Sequence, residues 1–223
     1  MDRNLYLLCL AMFVLVVTSL IHGLKFLRKG NYLLGFEWLI VTFSASNFLL
    51  FALGGVQFSY QISYFCDAFS RGFGIPVIAV AGLMAVTHRY KPSILMDIVF
   101  FAGAIAATVV LVAVDAVAQP RPYFYVVAWS VFSVYLAWFA WKLLSAGEGR
   151  HAFGVSVVLV TTQAIACVYD FYKIPGDDEQ HLIFFTLACL TWSLMCVEMY
   201  YAYCALERAK KNQVSLAPMP ALR

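Results

Sequence analysis

The chain has 223 residues, 63% of them hydrophobic and only 12% charged, with a formal net charge of +3. A soluble domain carries about 25% charged residues, because a water-facing surface must be coated with polar groups. This composition excludes such a domain and makes lipid the solvent for most of the surface. A membrane-spanning helix takes about 20 residues, so the length accommodates seven spans with short connections and leaves no stretch for a second, soluble domain.

The first span is expected at 4–23. Its apolar run from Leu5 to Ile21 is long for a signal-peptide core and is followed by Lys25, Arg28 and Lys29 rather than a small-residue cleavage site, so it reads as a retained helix. The second, 33–54, ends at Gly54-Gly55. From Val56 to Phe65 polar and aromatic residues alternate, and this segment reads as lying along the outer surface before the third span, 66–87. Pro92 separates the third span from the fourth, 93–115, and Pro120 and Pro122 separate the fourth from the fifth, 122–143. Gly147 and Gly149 precede the sixth, 152–172, and Pro175-Gly176 precede the seventh, 181–206. The fold expected is an all-α bundle of seven transmembrane helices over 1–206, followed by a short basic tail over 207–223.

Lys and Arg collect on the cytoplasmic side of a membrane protein. Eleven of the fifteen here, among them Lys25, Arg89, Lys142, Arg150 and Lys210, fall on one side of the predicted bundle. Arg3, Arg71, Arg121 and Lys173 fall on the other. The N-terminus is thus expected outside and the C-terminus in the cytoplasm, in a plasma (cytoplasmic) membrane. The acidic run Asp177, Asp178, Glu179 lies on the outer side, and Trp138 and Trp141 sit at the cytoplasmic interface.

Charged side chains within spans are costly and mark functional sites by default. Asp67 and Arg71 are one helical turn apart and can pair. Gln163, Cys167 and Asp170 form one stripe of the sixth span, expected to face that pair across an outward-opening pocket, with Asp115 at the same depth. Toward the cytoplasm, Glu37 and Asp97 read as solvated helix ends. Glu198 cannot easily reach water from its depth, and with Thr191 it is expected to form a polar seam with Glu37, Ser44 and Asn47 of the second span. In the third span Gly72, Gly74 and Pro76 read as a hinge, since proline removes a backbone donor and glycine admits close approach. The candidate binding residues are therefore Asp67, Arg71, Gln163, Asp170 and Glu198.

Seven spans with an outer N-terminus give a layout that resembles rhodopsins and other heptahelical receptors, in topology alone. A retinal Schiff base needs a lysine within the last span, and none lies between His181 and Glu207. His22, His88, His151 and His181 read as hydrated loop-end residues, without the spacing of a metal site, so no metal or cofactor is expected. The six cysteines read as small apolar residues, with Cys66 and Cys167 near enough to the outer face for a disulfide. No G-x-S-x-G and no P-loop is present, and the basic tail is too short to engage nucleic acid. The reading leans away from an enzyme. It favours a bundle that binds or transports a small solute or ion. A sensor or receptor, a subunit working with itself or a partner membrane protein, and a lipid-directed enzyme are the alternatives. The bilayer is the one partner the composition itself demands.

Overall fold

The computed structural model describes residues 3–177 and 180–216, so Asp178, Glu179 and the end of the tail lie outside the described residues. Among the described residues all regular structure is helical. Helix α1 spans Arg3–Arg28 and α2 Tyr32–Gly54. The third span is continuous but built of three parts: α3 (Gln57–Phe69), a π-helical segment (Ser70–Ala79) and α4 (Val80–Thr87). Then follow α5 (Ile94–Ala113), a 3₁₀ turn (Asp115–Val117), α6 (Arg121–Ser145), α7 (Gly149–Val168) and α8 (Leu182–Leu216). Seven of these helical stretches are long and apolar enough to cross a membrane, the third running from Gln57 to Thr87.

Three boundaries differ from expectation, each for a physical reason. The segment after Val56 is helical and not a surface strip. Its serines, Ser59 and Ser63, are buried while Phe58, Tyr60 and Tyr64 stay exposed, so the alternation reflects two faces of a helix. The Ser44 hydroxyl of α2 donates to the Ser63 carbonyl at 3.1 Å and holds that face in place. The sixth span stops at Val168, placing Tyr169 and Asp170 in the turn beyond it. The seventh runs past 206 to Leu216. At its start the Asp177 carboxylate accepts from the Ile183 and Phe184 amides at 2.9 and 3.0 Å, satisfying two donors that a first helical turn leaves free.

Lipid gives helices no hydrophobic reason to associate, so packing and interhelical hydrogen bonds must hold the bundle. The third span is its centre: 72% of its most apolar window is buried, against 11% for α5, which packs on α3 and the π-segment at the edge. Helix α1 lies against both α2 and α8, and α6 against α7. Ser19 and Thr42 hydroxyls meet at 2.8 Å between α1 and α2, and the Trp38 indole donates to the Cys196 carbonyl at 3.2 Å between α2 and α8. The Asn31 amide donates to the Gly82 carbonyl at 2.8 Å, tying the start of α2 to α4. Buried Trp38, Phe26, Phe132 and Phe139 fill the core among these bonds.

At the end of the bundle where α8 continues, Lys29 pairs with Glu207 at 2.6 Å and clamps α1 to α8. Burial opposes the charge on Lys29, but the hydrogen bond to Glu207 and the attraction of the acidic groups around it, Glu207 among them, together outweigh it and hold the ammonium above its ordinary range. Lys210 donates to the carbonyls of Val86 and Thr87 at 2.7 and 3.0 Å, closing the end of α4 as a cation suits a helix C-terminus. All six cysteines are free thiols, Cys66 and Cys167 included.

Candidate functional site

The π-segment creates the site. A π turn carries more residues than an α turn and commonly marks function. Here Pro76 has no amide hydrogen to donate to the preceding turn, and Gly72 and Gly74 offer no side chains to crowd a wider one. Arg71 sits in the first turn of this segment and points into the bundle, only 6% exposed.

Its guanidinium is held on every side. The Cζ atom lies 3.6 Å from the centre of the Tyr169 ring and 4.1 Å from that of Tyr125, so the cation is sandwiched between two aromatic faces. It is ion-paired to Asp170 and lies 3.6 Å from Asp67. The Tyr169 hydroxyl donates to Asp67 at 3.2 Å. Two carboxylates thus share one guanidinium, and Arg121, 6.0 Å from the Tyr64 ring, supplies a second cation at the same end. These groups border a cavity of about 260 Å³ whose remaining wall is largely apolar and aromatic, with Phe48, Trp129, Trp192 and Met12 among its residues.

The structure brings Asp67, Arg71 and Asp170 together, from two separate stretches of chain, the third span and the turn after α7. Gln163 is placed elsewhere. It accepts from the Ser133 hydroxyl at 2.7 Å and donates to Ser130 at 3.2 Å, fastening α7 to α6. The stripe of Gln163, Cys167 and Asp170 divides because α7 ends between its last two members. Asp115 is exposed in the 3₁₀ turn and does not border the cavity. Glu198 also lies apart from the cavity: its Oε1 is 3.0 Å from Nδ1 of His151, both side chains about one-fifth exposed. A Cβ at Gly154, one turn after His151, would overlap the Glu198 carboxylate, so the glycine makes that pairing possible. His151 is therefore a carboxylate partner and not a hydrated loop end. The residues expected to share a seam between α2 and α8 are divided as well, with Ser44 turned to α3 and Glu198 to α7.

Glu37 differs most from expectation. It is 0% exposed, with the Ser70 hydroxyl as its one polar side-chain neighbour. The carboxyl group rests on Gly74, where any Cβ would collide with it. Asp97 is also buried, at 9% exposure, with Oδ1 unpartnered. His22 is buried too, its Nδ1 2.7 Å from the Thr18 carbonyl and its ring against Tyr200 and Tyr201. The available signal for Glu37 was the run of small residues in the third span, which allows close approach without saying what approaches. Among the described residues no group of three or more His, Cys, Asp or Glu is arranged to hold a metal ion.

The chain matches no protein-family model, no curated protein sequence and no solved structure.

Proposed function

We propose that this membrane protein takes a small organic solute bearing both charges into the Arg71 cavity and carries it across the bilayer. The supporting observation is the guanidinium of Arg71, buried between Tyr125 and Tyr169 and shared by Asp67 and Asp170 at the wall of a cavity. Opposite charges side by side in an aromatic box complement a zwitterion, whose anionic group competes with Asp170 for Arg71 and whose cationic group meets the released carboxylate. A volume of about 260 Å³ suits a small solute, since sites for drug-sized ligands run to about 300–1,000 Å³. In this reading the N-terminus is outside a plasma membrane, and the cavity, bordered by the exposed rings of Tyr60 and Tyr64, opens outward.

The test is solute counterflow in proteoliposomes, which needs no ion gradient, with a panel of labelled small zwitterions. The native protein should exchange at least one of them. Arg71→Ala should lower that exchange by about tenfold or more, equivalent to roughly 1.4 kcal/mol. Arg71→Lys should not restore it, because an ammonium lacks the flat fork that stacks between rings and binds two carboxylates. Binding without exchange would identify a sensor built on the same pocket. No binding of any zwitterion would overturn the reading.

A further inference from the structure

Behind the wall of the Arg71 cavity lies a second polar group, a carboxyl with a single hydroxyl to satisfy it. Ser70 borders the cavity, and Glu37 lies beside Ser70 on its far side. The Glu37 carboxyl is fully buried, and the Ser70 hydroxyl is the one polar side chain placed to bond it. Buried polar groups are almost always fully bonded, so a buried carboxyl with a single hydroxyl beside it calls for an explanation. The other ionisable groups facing the carboxyl are the thiols of Cys66 on α3 and Cys196 on α8, and no cation among the described residues reaches it. An unpaired carboxylate is tolerated poorly in an apolar interior, where an ionised group must be paired or neutralised. Nor does the cavity extend to the Glu37 oxygens, which sit against the Gly74 backbone, so the site offers no room for a metal ion in an oxygen cage.

We propose that Glu37 is a proton-binding site, loaded in this conformation and emptied through Ser70 when the π-segment rearranges. The proposal rests on the transport reading above for its purpose, and it makes the proton the ion coupled to solute movement. The π-segment links the two sites physically. Arg71 stands in its first turn, Ser70 precedes Arg71, and Gly74, one turn on, carries the Glu37 carboxyl on its backbone. A change of solute contacts at Arg71 therefore moves the surface on which the Glu37 proton is held.

Infrared difference spectra of the reconstituted full chain, recorded across a pH step, test the site itself. The expected result is a carbonyl stretch of a protonated carboxylic acid that loses intensity as pH rises and is missing in Glu37→Gln. The band should remain in Glu198→Gln and Asp97→Asn, and Ser70→Ala, a milder change should Glu37→Gln fail to fold, should shift its frequency. A spectrum without a Glu37-dependent band overturns the proposal. So does loss of the band on adding sodium at constant pH, which would make the site a metal-ion site. The coupling is read separately: Glu37→Gln should keep counterflow within about twofold and lose at least tenfold in accumulation driven by a pH gradient. Accumulation that survives in this variant overturns the coupling. Failure of counterflow in the native protein refutes the solute reading alone, because the infrared band does not depend on any solute.

Discussion

Arg71 and Glu37 show two ways of keeping an ionisable group inside a membrane bundle. Arg71 has its charge answered by Asp67 and Asp170 and its faces covered by two tyrosines. Glu37 has no counter-charge and only the Ser70 hydroxyl beside it, and its place is made by an absence, the missing side chain of Gly74. That dependence is measurable. Gly74→Ala should lower stability by about 1–3 kcal/mol, the usual cost of overpacking, which corresponds to roughly 2–4 °C per kcal/mol in a domain of this size. In a Glu37→Ala background the space is open, and the same substitution should cost little or even stabilise, since alanine favours a helix over glycine by about 1 kcal/mol. Thermal unfolding of the four proteins of this cycle should give a coupling of about 1 kcal/mol or more between the two positions. Additive changes would mean that the close packing of Glu37 on Gly74 is absent in the folded protein. A parallel relation joins Gly154 to Glu198, where the carboxylate has His151 as its partner.

Among the elements, the third span carries the most information and was the least legible. Gly72, Gly74 and Pro76 mark a break in the sequence, and the break is there. Its form as a π-helical segment was not readable, because the same residues suit an ordinary proline kink. The distinction matters for the site. Relative to an α-helix, one extra residue in a turn rotates everything beyond it by about 100°. This offset allows one span to present Asp67 and Arg71 to Tyr169 and Asp170, and Gly74 to Glu37. Pro76→Ala restores a backbone donor and favours the α form. It should leave thermal stability unchanged or raise it, as proline in a helix interior costs about 3 kcal/mol. Solute exchange should fall by about tenfold, since the two faces lose their relative angle. Stability and exchange that fall together would instead assign Pro76 a packing role without the hinge. The neighbouring span boundaries were misread for a related reason. Along Gln57–Tyr64 the serines and aromatics sort onto two faces of a helix, a pattern that short polar–aromatic alternation resembles along a sequence.

At the scale of the whole molecule, hydropathy sufficed to place seven apolar helices, and the one-turn spacing of Asp67 and Arg71 sufficed to pair them. It did not suffice to say which side of each helix faces its neighbours. In water an amphipathic stripe reports that rotation. In lipid both the packed and the lipid-facing sides are apolar, so helices such as α5 and α7 carry no stripe to read. The rotation of α2 decides that Glu37 is buried, and those of α7 and α8 decide that His151 meets Glu198. Orientation, by contrast, is a matter of the loops, whose basic residues give the expectation of a cytoplasmic C-terminus. Ten of the fourteen described basic residues lie at the end of the bundle where α8 continues, and there Lys29, Lys210 and Lys211 surround Glu207 and the end of α4. A domain that fluoresces only when folded in the cytoplasm, fused after Arg223, should therefore be bright, and a phosphatase active only outside should be silent at the same junction. The reverse pair of results would turn the bundle over and make the Arg71 cavity face the cytoplasm. Uptake would then become export, with Glu37 releasing its proton toward the opposite compartment.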